Sequence, residues 1–293
     1  MIDCSAKYFI VSDVHSYYTE LINSLNDKGF NYDRDFLVVN GDLFDRGKES
    51  KELLTFVKSV GDRFIYVRGN HEDLLEDLYH DIINEKPIGN HHYSNGTVKT
   101  IMDLCDLGDS EITYYGYTHK AKECVKNVIG DLLEWINHKC VNYFELGDYI
   151  ITHSWIPVMV DDTTIRLNSK KTYCGVYDKW NINHNSLNDS EYMLYRNMWK
   201  SARWENPFEC WKQGMCVDGK VIVSGHWHTS YGYSHIDMTH KEWPDKNRHN
   251  WKDSFNIWCR DNFIAIDGCV AYSGKINCIV IEKDSCGNIS KFH

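Results

Sequence analysis

Apolar positions in this chain fall into short unbroken runs that stop abruptly at polar clusters. "KYFIVSDVH" (Lys7 to His15) is the first, and the helically spaced "YYTELINSLNDKGF", closed by Gly29, follows it. The pattern repeats in "DFLVVNGD" and "KESKELLTFVKSVG", where Leu53, Leu54, Val57 and Val60 share a helix face. It repeats again in "RFIYVRGNH" and "EDLLEDLYHDIINEK". Three successive strand–loop–helix units predict a parallel sheet, and unbroken apolar runs suit strands buried on both faces.

From Pro87 to about Cys140 the strand signal gives way to helical spacing, in "NGTVKTIMDLCDLG" and "HKAKECVKNVIGDLLEWINHKC". This reads as a helical insertion. "VNYFELGDYIITHSW" then gives two apolar runs joined by Gly147-Asp148, a hairpin signal. Residues 157–219 are polar, aromatic-rich and irregular, with one helical stretch near "SEYMLYRNMWKSARW". "KVIVSGHWH", "NFIAIDGC" and "INCIVIEKDSCGNISKF" supply closing strands. No internal repeat or low-complexity linker divides the chain, so one domain over residues 1–293 is expected.

Composition narrows the function classes. Lys and Arg number 32 against 42 Asp and Glu, a net charge of −10, which disfavours binding to long nucleic acid. The 11 cysteines form no CxxC pairs, and the N-terminus lacks a secretory signal pattern, which together predict free thiols and a cytoplasmic setting. Apolar runs are far shorter than the ~20 residues that cross a bilayer, so no membrane partner is expected.

Five apolar runs end in polar clusters: "SDVH", "NGDLFDRG", "RGNHE", "THSW" and "SGHWH". Ligands of open α/β sheets bind beyond the carboxyl ends of the strands, so clusters arriving there from separate strands converge. The converging donors are Asp13, His15, Asp42, Asn70, His153, His226 and, as an open question, His228. Carboxylate, amide and imidazole donors without thiolate suit Mn, Fe or Zn. Their number exceeds one tetrahedral shell, and Asp42 as a shared carboxylate would hold two divalent ions about 3.5–4 Å apart. Taken singly, each cluster has an ordinary explanation. Asp13 suits a helix cap, Asn40-Gly41 and Gly69-Asn70 suit turns, and His153 suits a satisfied strand-end histidine. Five in order, each ending an apolar run, argue for a site.

"SDVH", "GDLFDRG", "GNHE", a lone downstream His and "GHWH" resemble the ordered signature of calcineurin-like metallophosphoesterases. "GDLFDRGKES" with "GNHE" is most similar to the serine/threonine phosphoprotein phosphatase family in its bacterial and phage forms. The resemblance implies an α/β fold, a four-layer αββα sandwich of two mixed sheets flanked by helices. It also implies Asp13, His15 and Asp42 on one metal, and Asp42, Asn70, His153 and His226 on the other, with Mn the expected cation. It makes Arg46 a phosphate grip, His71 the general acid and Asp45 the residue orienting it, with a metal-bridging hydroxide as nucleophile. A second phosphate-binding arginine is expected among Arg166, Arg196 and Arg203, and Arg203, flanked by tryptophans, is the favoured one.

The second histidine of "GHWH" departs from the phosphoprotein phosphatase pattern. His228 is either an extra ligand, as alternation along a strand end favours, or a ring in the substrate cleft. The implied reaction is hydrolysis of phosphomonoesters, with phosphoserine and phosphothreonine in proteins as the leading substrate. Hydrolysis of dinucleoside polyphosphates or other nucleotides is the alternative, and a non-catalytic scaffold is a third. Aromatic residues of 157–252 suit walls for a peptide or a nucleobase.

Overall fold

The computed structural model describes residues 6–161, 171–284, 288–290 and 292. The three expected units are β1 (Ala6–Val11) with α1 (Tyr18–Asp27), β2 (Phe36–Asn40) with α2 (Ser50–Val60), and β3 (Phe64–Val67) with α3 (Asn70–Ile83). β1, β2 and β3 run parallel, Phe9 opposite Leu37 and Val38 opposite Ile65. Within the insertion are helices Asn90–Asn95, Thr97–Leu104, His119–Cys124 and Gly130–Lys139, and a short hairpin of β4 (Ile112–Thr113) and β5 (Gly116–Tyr117) that the apolar pattern did not mark. β6 (Cys140–Val141) pairs parallel with β3, and β14 (Cys278–Lys283) pairs antiparallel with β1, so the first sheet has the order β14-β1-β2-β3-β6.

The Gly147-Asp148 hairpin joins β7 (Phe144–Leu146) to β8 (Tyr149–Ile151). β11 (Val221–Ser224), β12 (Trp258–Arg260) and β13 (Phe263–Ala265) complete a second sheet, ordered β12-β13-β11-β8-β7. Both sheets are mixed: β11 is parallel to β8 and β13, while β12 and β7 are antiparallel to their neighbours. The irregular segment contains a two-stranded ribbon, β9 (Val158–Val160) with β10 (Tyr173–Val176). After it comes the expected helix at Asp189–Ala202, started by a reciprocal cap in which Asn188 and Glu191 satisfy each other's backbone N–H.

Alternation along the strands divides the apolar side chains into three layers of contact. Phe9, Val11, Leu37 and Val39 pack under α1, α2, α3 and the insertion helices. Their neighbours Ile10 and Val38 face the other way, meeting Ile151, Val223 and Ile264 between the sheets. Ile150, Ile222 and Phe263 point outward again, against Trp199, Phe208 and Trp258. The result is helix, sheet, sheet, helix, as expected. No helix among the described residues is long and apolar enough to cross a membrane.

One side chain ties the two sheets at the ends where the polar clusters emerge. Asn40, fully buried at the end of β2, donates from Nδ2 to Thr152 O (2.9 Å) and Val223 O (3.4 Å) of the second sheet. Its own carbonyl accepts from Ser12 Oγ and lies 3.0 Å from His153 Nδ1. Asn40→Leu removes this donor while leaving Thr152 O buried, and should cost about 1–3 kcal/mol of stability. Urea denaturation measures it; an unchanged midpoint would show that the sheets are held by apolar packing alone.

Candidate active site

Three of the five polar clusters, "SDVH", "NGDLFDRG" and "SGHWH", leave the strand ends on strained backbone. Of the thirteen described non-glycine residues with positive φ, eight lie in these loops or beside them: Asp13, His15, Ser16, Asp42, Asp45, Arg46, His226 and Cys269. Left-handed backbone at residues bearing a Cβ is costly and persists where the surroundings enforce it. Here the enforcement is hydrogen bonding between loops: His15 N donates to Asp42 O (2.9 Å), Ser16 N to Leu43 O (2.8 Å) and Gly47 N to His15 O (2.9 Å). Gly41, at φ 79°, has no room for a side chain, because a Cβ would collide with the His153 ring.

Asp42 is the hub. Its Oδ2 lies 3.7 Å from His15 Nε2 and 3.7 Å from His71 Nε2, and its Oδ1 lies 3.3 Å from His153 Nε2 and accepts from His71 N (3.0 Å). His15, Asp42 and His71 form one compact donor group; Asp42, His153 and His226 form another. Asn70 Oδ1 is 2.8 Å from His153 Nε2. Asp13 lies outside both groups but feels Asp42 and His153 electrostatically, and its Oδ2 accepts from His226 N (2.9 Å) and from Ser12 Oγ.

The donor set fits divalent cations. His15 holds Phe44 O with Nδ1 (2.9 Å), while its Nε2, buried and turned toward Asp42, has no hydrogen-bond partner. Burial, and then nearby positive groups, push His15 and His226 well below the ordinary histidine range, which leaves both neutral and able to ligate. Burial raises the carboxyls of Asp13 and Asp42, to about 6 and about 7, and Asp267 to about 8 with help from Asp13. A dry cluster of carboxylates and neutral imidazoles is completed by cations.

His71 sits apart in character. Its Nδ1 is 2.7 Å from Asp45 Oδ2, and its Nε2 is 3.3 Å from the exposed Arg46 guanidinium. Burial works against the imidazolium, but Asp42 and Asp45 outweigh it and raise His71 above the ordinary range. Thr97 and Thr100 each donate to Asp45, at 2.8 and 2.7 Å, so the insertion helix Thr97–Leu104 fixes the carboxylate that holds His71.

Two expected participants lie elsewhere. Arg203 directs Nε and Nη2 to Asp73 (2.8 and 3.1 Å) and Nη1 to Asn142 (3.2 Å), so its guanidinium is held by α3 rather than presented to a phosphate. His228 is not brought into either donor group: Nδ1 is 2.6 Å from Ser230 Oγ, Nε2 is 3.5 Å from Glu242, and its ring lies 4.5 Å from that of Trp243. Of the other arginines, Arg196 is mostly exposed, 3.8 Å from Glu76, and Arg166 lies outside the described residues.

Sequence reasoning also missed supports. Glu72 accepts from Asp42 N, Leu43 N, Gly69 N and Tyr66 Oη, at 2.7–3.1 Å, and so clamps the "GD" turn to the "GNH" turn. A Glu three residues beyond Gly69, at a helix start, was the available signal. Asp267 was marked only by a carboxylate closing the apolar run "FIAI".

A family profile, Metallophos, described as calcineurin-like phosphoesterase, matches residues 6–262. The chain belongs to the calcineurin-like phosphoesterase family. Among curated proteins it is similar to a symmetrical bis(5'-nucleosyl)-tetraphosphatase of Buchnera aphidicola, at 42% identity over 81 residues, 28% of this chain and 29% of that protein. A namesake from Marinomonas sp. is 27% identical over 150 residues, 51% of this chain and 44% of that protein. In each case the match spans less than half of the relative. Among solved structures, a protein serine/threonine phosphatase from Saccharomyces cerevisiae aligns over 98% of this chain and 80% of its own, at 13% identity and TM-score 0.45.

The raised carboxyls give this calcineurin-like phosphoesterase a testable pH signature. Between about pH 6.5 and 8 the unfolded chain has released its carboxyl protons and most of its histidine protons. In the metal-free fold Asp42, Asp267 and His71 still retain theirs. The folded state then binds more protons, so metal-free stability should fall as pH rises through this window. Below it, His15 and His226, neutral only when folded, pull the other way. Thermal melts in chelator should show that fall, and added Mn²⁺ should stabilise more at pH 8 than at pH 6.5. A chelated protein that gains stability from pH 6.5 to 8 would contradict this electrostatic account.

Proposed function

We propose that this phosphoesterase hydrolyses dinucleoside polyphosphates, cleaving a phosphoanhydride with water and releasing two nucleotides. The observation that carries the substrate is the shared name of the curated relatives, symmetrical bis(5'-nucleosyl)-tetraphosphatase, across several bacteria. Asp13, His15, Asp42, Asn70, His153 and His226 would hold two divalent ions, Mn foremost with Fe or Zn as alternatives. When bound, such ions polarise a phosphoryl group and lower the pKa of water.

The chain's own residues supply the rest. Arg46, exposed beside His71, offers a planar fork to two non-bridging phosphate oxygens. His71 gives its Nε2 proton to the departing oxygen, while Asp45, held by Thr97 and Thr100, keeps the ring oriented and cationic. Glu72 keeps the Asp42 and Asn70 turns in register.

A second reading, phosphoserine and phosphothreonine hydrolysis in proteins, draws support from the dyad itself. A buried His71, raised toward its charged form with Asp45 at 2.7 Å, suits an alkoxide, a leaving group that needs a proton far more than a nucleoside phosphate does. Turnover of diadenosine tetraphosphate against a phosphothreonine peptide, in Mn²⁺, separates the two. The dinucleotide should win in kcat/KM by orders of magnitude; a peptide preference of that size would install the second reading. His71→Asn should then lower kcat by roughly 10²–10⁴ on an alkyl phosphate and less on p-nitrophenyl phosphate. Equal losses would remove His71 from the role of acid.

A further inference from the structure

The chain buries Arg203 and Glu205, 5% and 4% exposed, yet leaves Trp204 between them 44% exposed. Single exposed apolar residues are common on protein surfaces, so exposure alone says little. The setting says more. Arg203 is locked to Asp73 by two charge-assisted hydrogen bonds. Glu205 accepts Lys171 Nζ at 2.8 Å and Tyr173 Oη at 2.7 Å, and its carbonyl accepts Ser154 Oγ. The residue that follows, Asn206, caps the helix Pro207–Lys212. The backbone carrying the indole is thus pinned on both sides.

The indole stands beside the reaction centre. Its ring centroid is 6.1 Å from that of His226, with the two planes at 86°. A half-exposed indole on pinned backbone, next to a residue of the metal-donor group, offers a stacking surface for something attached to the reacting phosphate. Nucleobases stack on such faces whatever their hydrogen-bonding pattern. A dinucleoside polyphosphate carries a base on each side of its phosphates, so holding the chain at Arg46 and the donor cluster leaves one base free to reach a neighbouring ring.

We propose that Trp204 is the nucleobase platform of this site, a specificity-determining residue that selects nucleotides from other phosphate compounds. The inference rests on the dinucleoside polyphosphate reading above. It predicts binding energy gained from the base, in KM, rather than chemical acceleration.

The experiment compares diadenosine tetraphosphate with inorganic tripolyphosphate, which presents phosphoanhydrides without bases, in the Mn²⁺-loaded full chain. Trp204→Ala should raise KM for the dinucleotide about tenfold or more, well beyond any change on tripolyphosphate, and Trp204→Phe should recover most of the loss. An equal loss on both compounds would reduce Trp204 to a support for His226 and overturn the proposal, as would an unchanged KM for the dinucleotide. A matching KM loss on a phosphopeptide bearing an aromatic residue beside the phosphothreonine would also overturn nucleotide selection. If the unsubstituted protein leaves diadenosine tetraphosphate intact, the proposed function itself fails, an outcome visible before any variant is made.

Discussion

Negative charge buried beyond what the protein's own cations offset governs this molecule. Asp13, Asp42 and Asp267 are almost inaccessible, and burial lifts all three toward protonation. His15 and His226 are driven to the neutral form by the same desolvation, which leaves His71 and Arg46 as the cationic groups facing Asp42. Isolated ions in a dry interior are expensive, and nature resolves them by proton uptake or by a cation. The orphaned His15 Nε2 and the crowding of imidazoles around Asp42 belong to the same dry centre.

The sheets exist in this arrangement to make such crowding possible. β1, β2 and β3 deliver their carboxyl ends side by side, and β8 and β11 deliver theirs from the facing sheet, so five loops share one volume. The loops after β1, β2 and β11 turn sharply to keep their donors there. Left-handed backbone at Asp13, His15, Asp42 and His226 is the conformational cost. Asn40 and Glu72 contribute the opposing stabilisation, one across the sheets and one across the loops. Neither touches substrate in the proposed reaction, yet both set where Asp42 stands.

What could be read from the sequence follows from the range of each interaction. The strand–helix units, the Gly147-Asp148 hairpin and the Asp189–Ala202 helix are encoded by local apolar spacing, and all were legible. The convergence of Asp42, Asn70, His153 and His226 was legible because parallel strands place their ends together whatever the details of packing. β4, β5 and β12 were not, being two- or three-residue strands whose identity lies in pairing rather than composition. Arg203 and His228 failed for a related reason. Motif spacing places a backbone, but a long cation or a ring takes the partner that tertiary structure offers, here Asp73 and Ser230. Asn40-Gly41 is the converse: a hairpin signal that correctly marks a tight turn, while Asp42 beyond it needs the buried pocket and not a returning strand.

Arg203's partner changes how the aromatic segment relates to the chemistry. Asp73 lies two residues beyond His71 on α3, and Arg203 and Arg68, working against burial, hold its carboxyl below the usual range. Removing one member of a buried ion pair leaves an uncompensated charge and costs far more than a surface contact. The helix carrying His71 and the segment carrying Trp204 are therefore joined by an interaction that solvent barely screens. A phosphate-gripping arginine would have left Arg203 free to follow its ligand, and the segment would have been positioned only when substrate bound. With Asp73 as its partner, the segment carrying Trp204 is registered to His71 by the fold itself, the kind of preorganisation that lowers the cost of binding wherever a ligand meets such a segment.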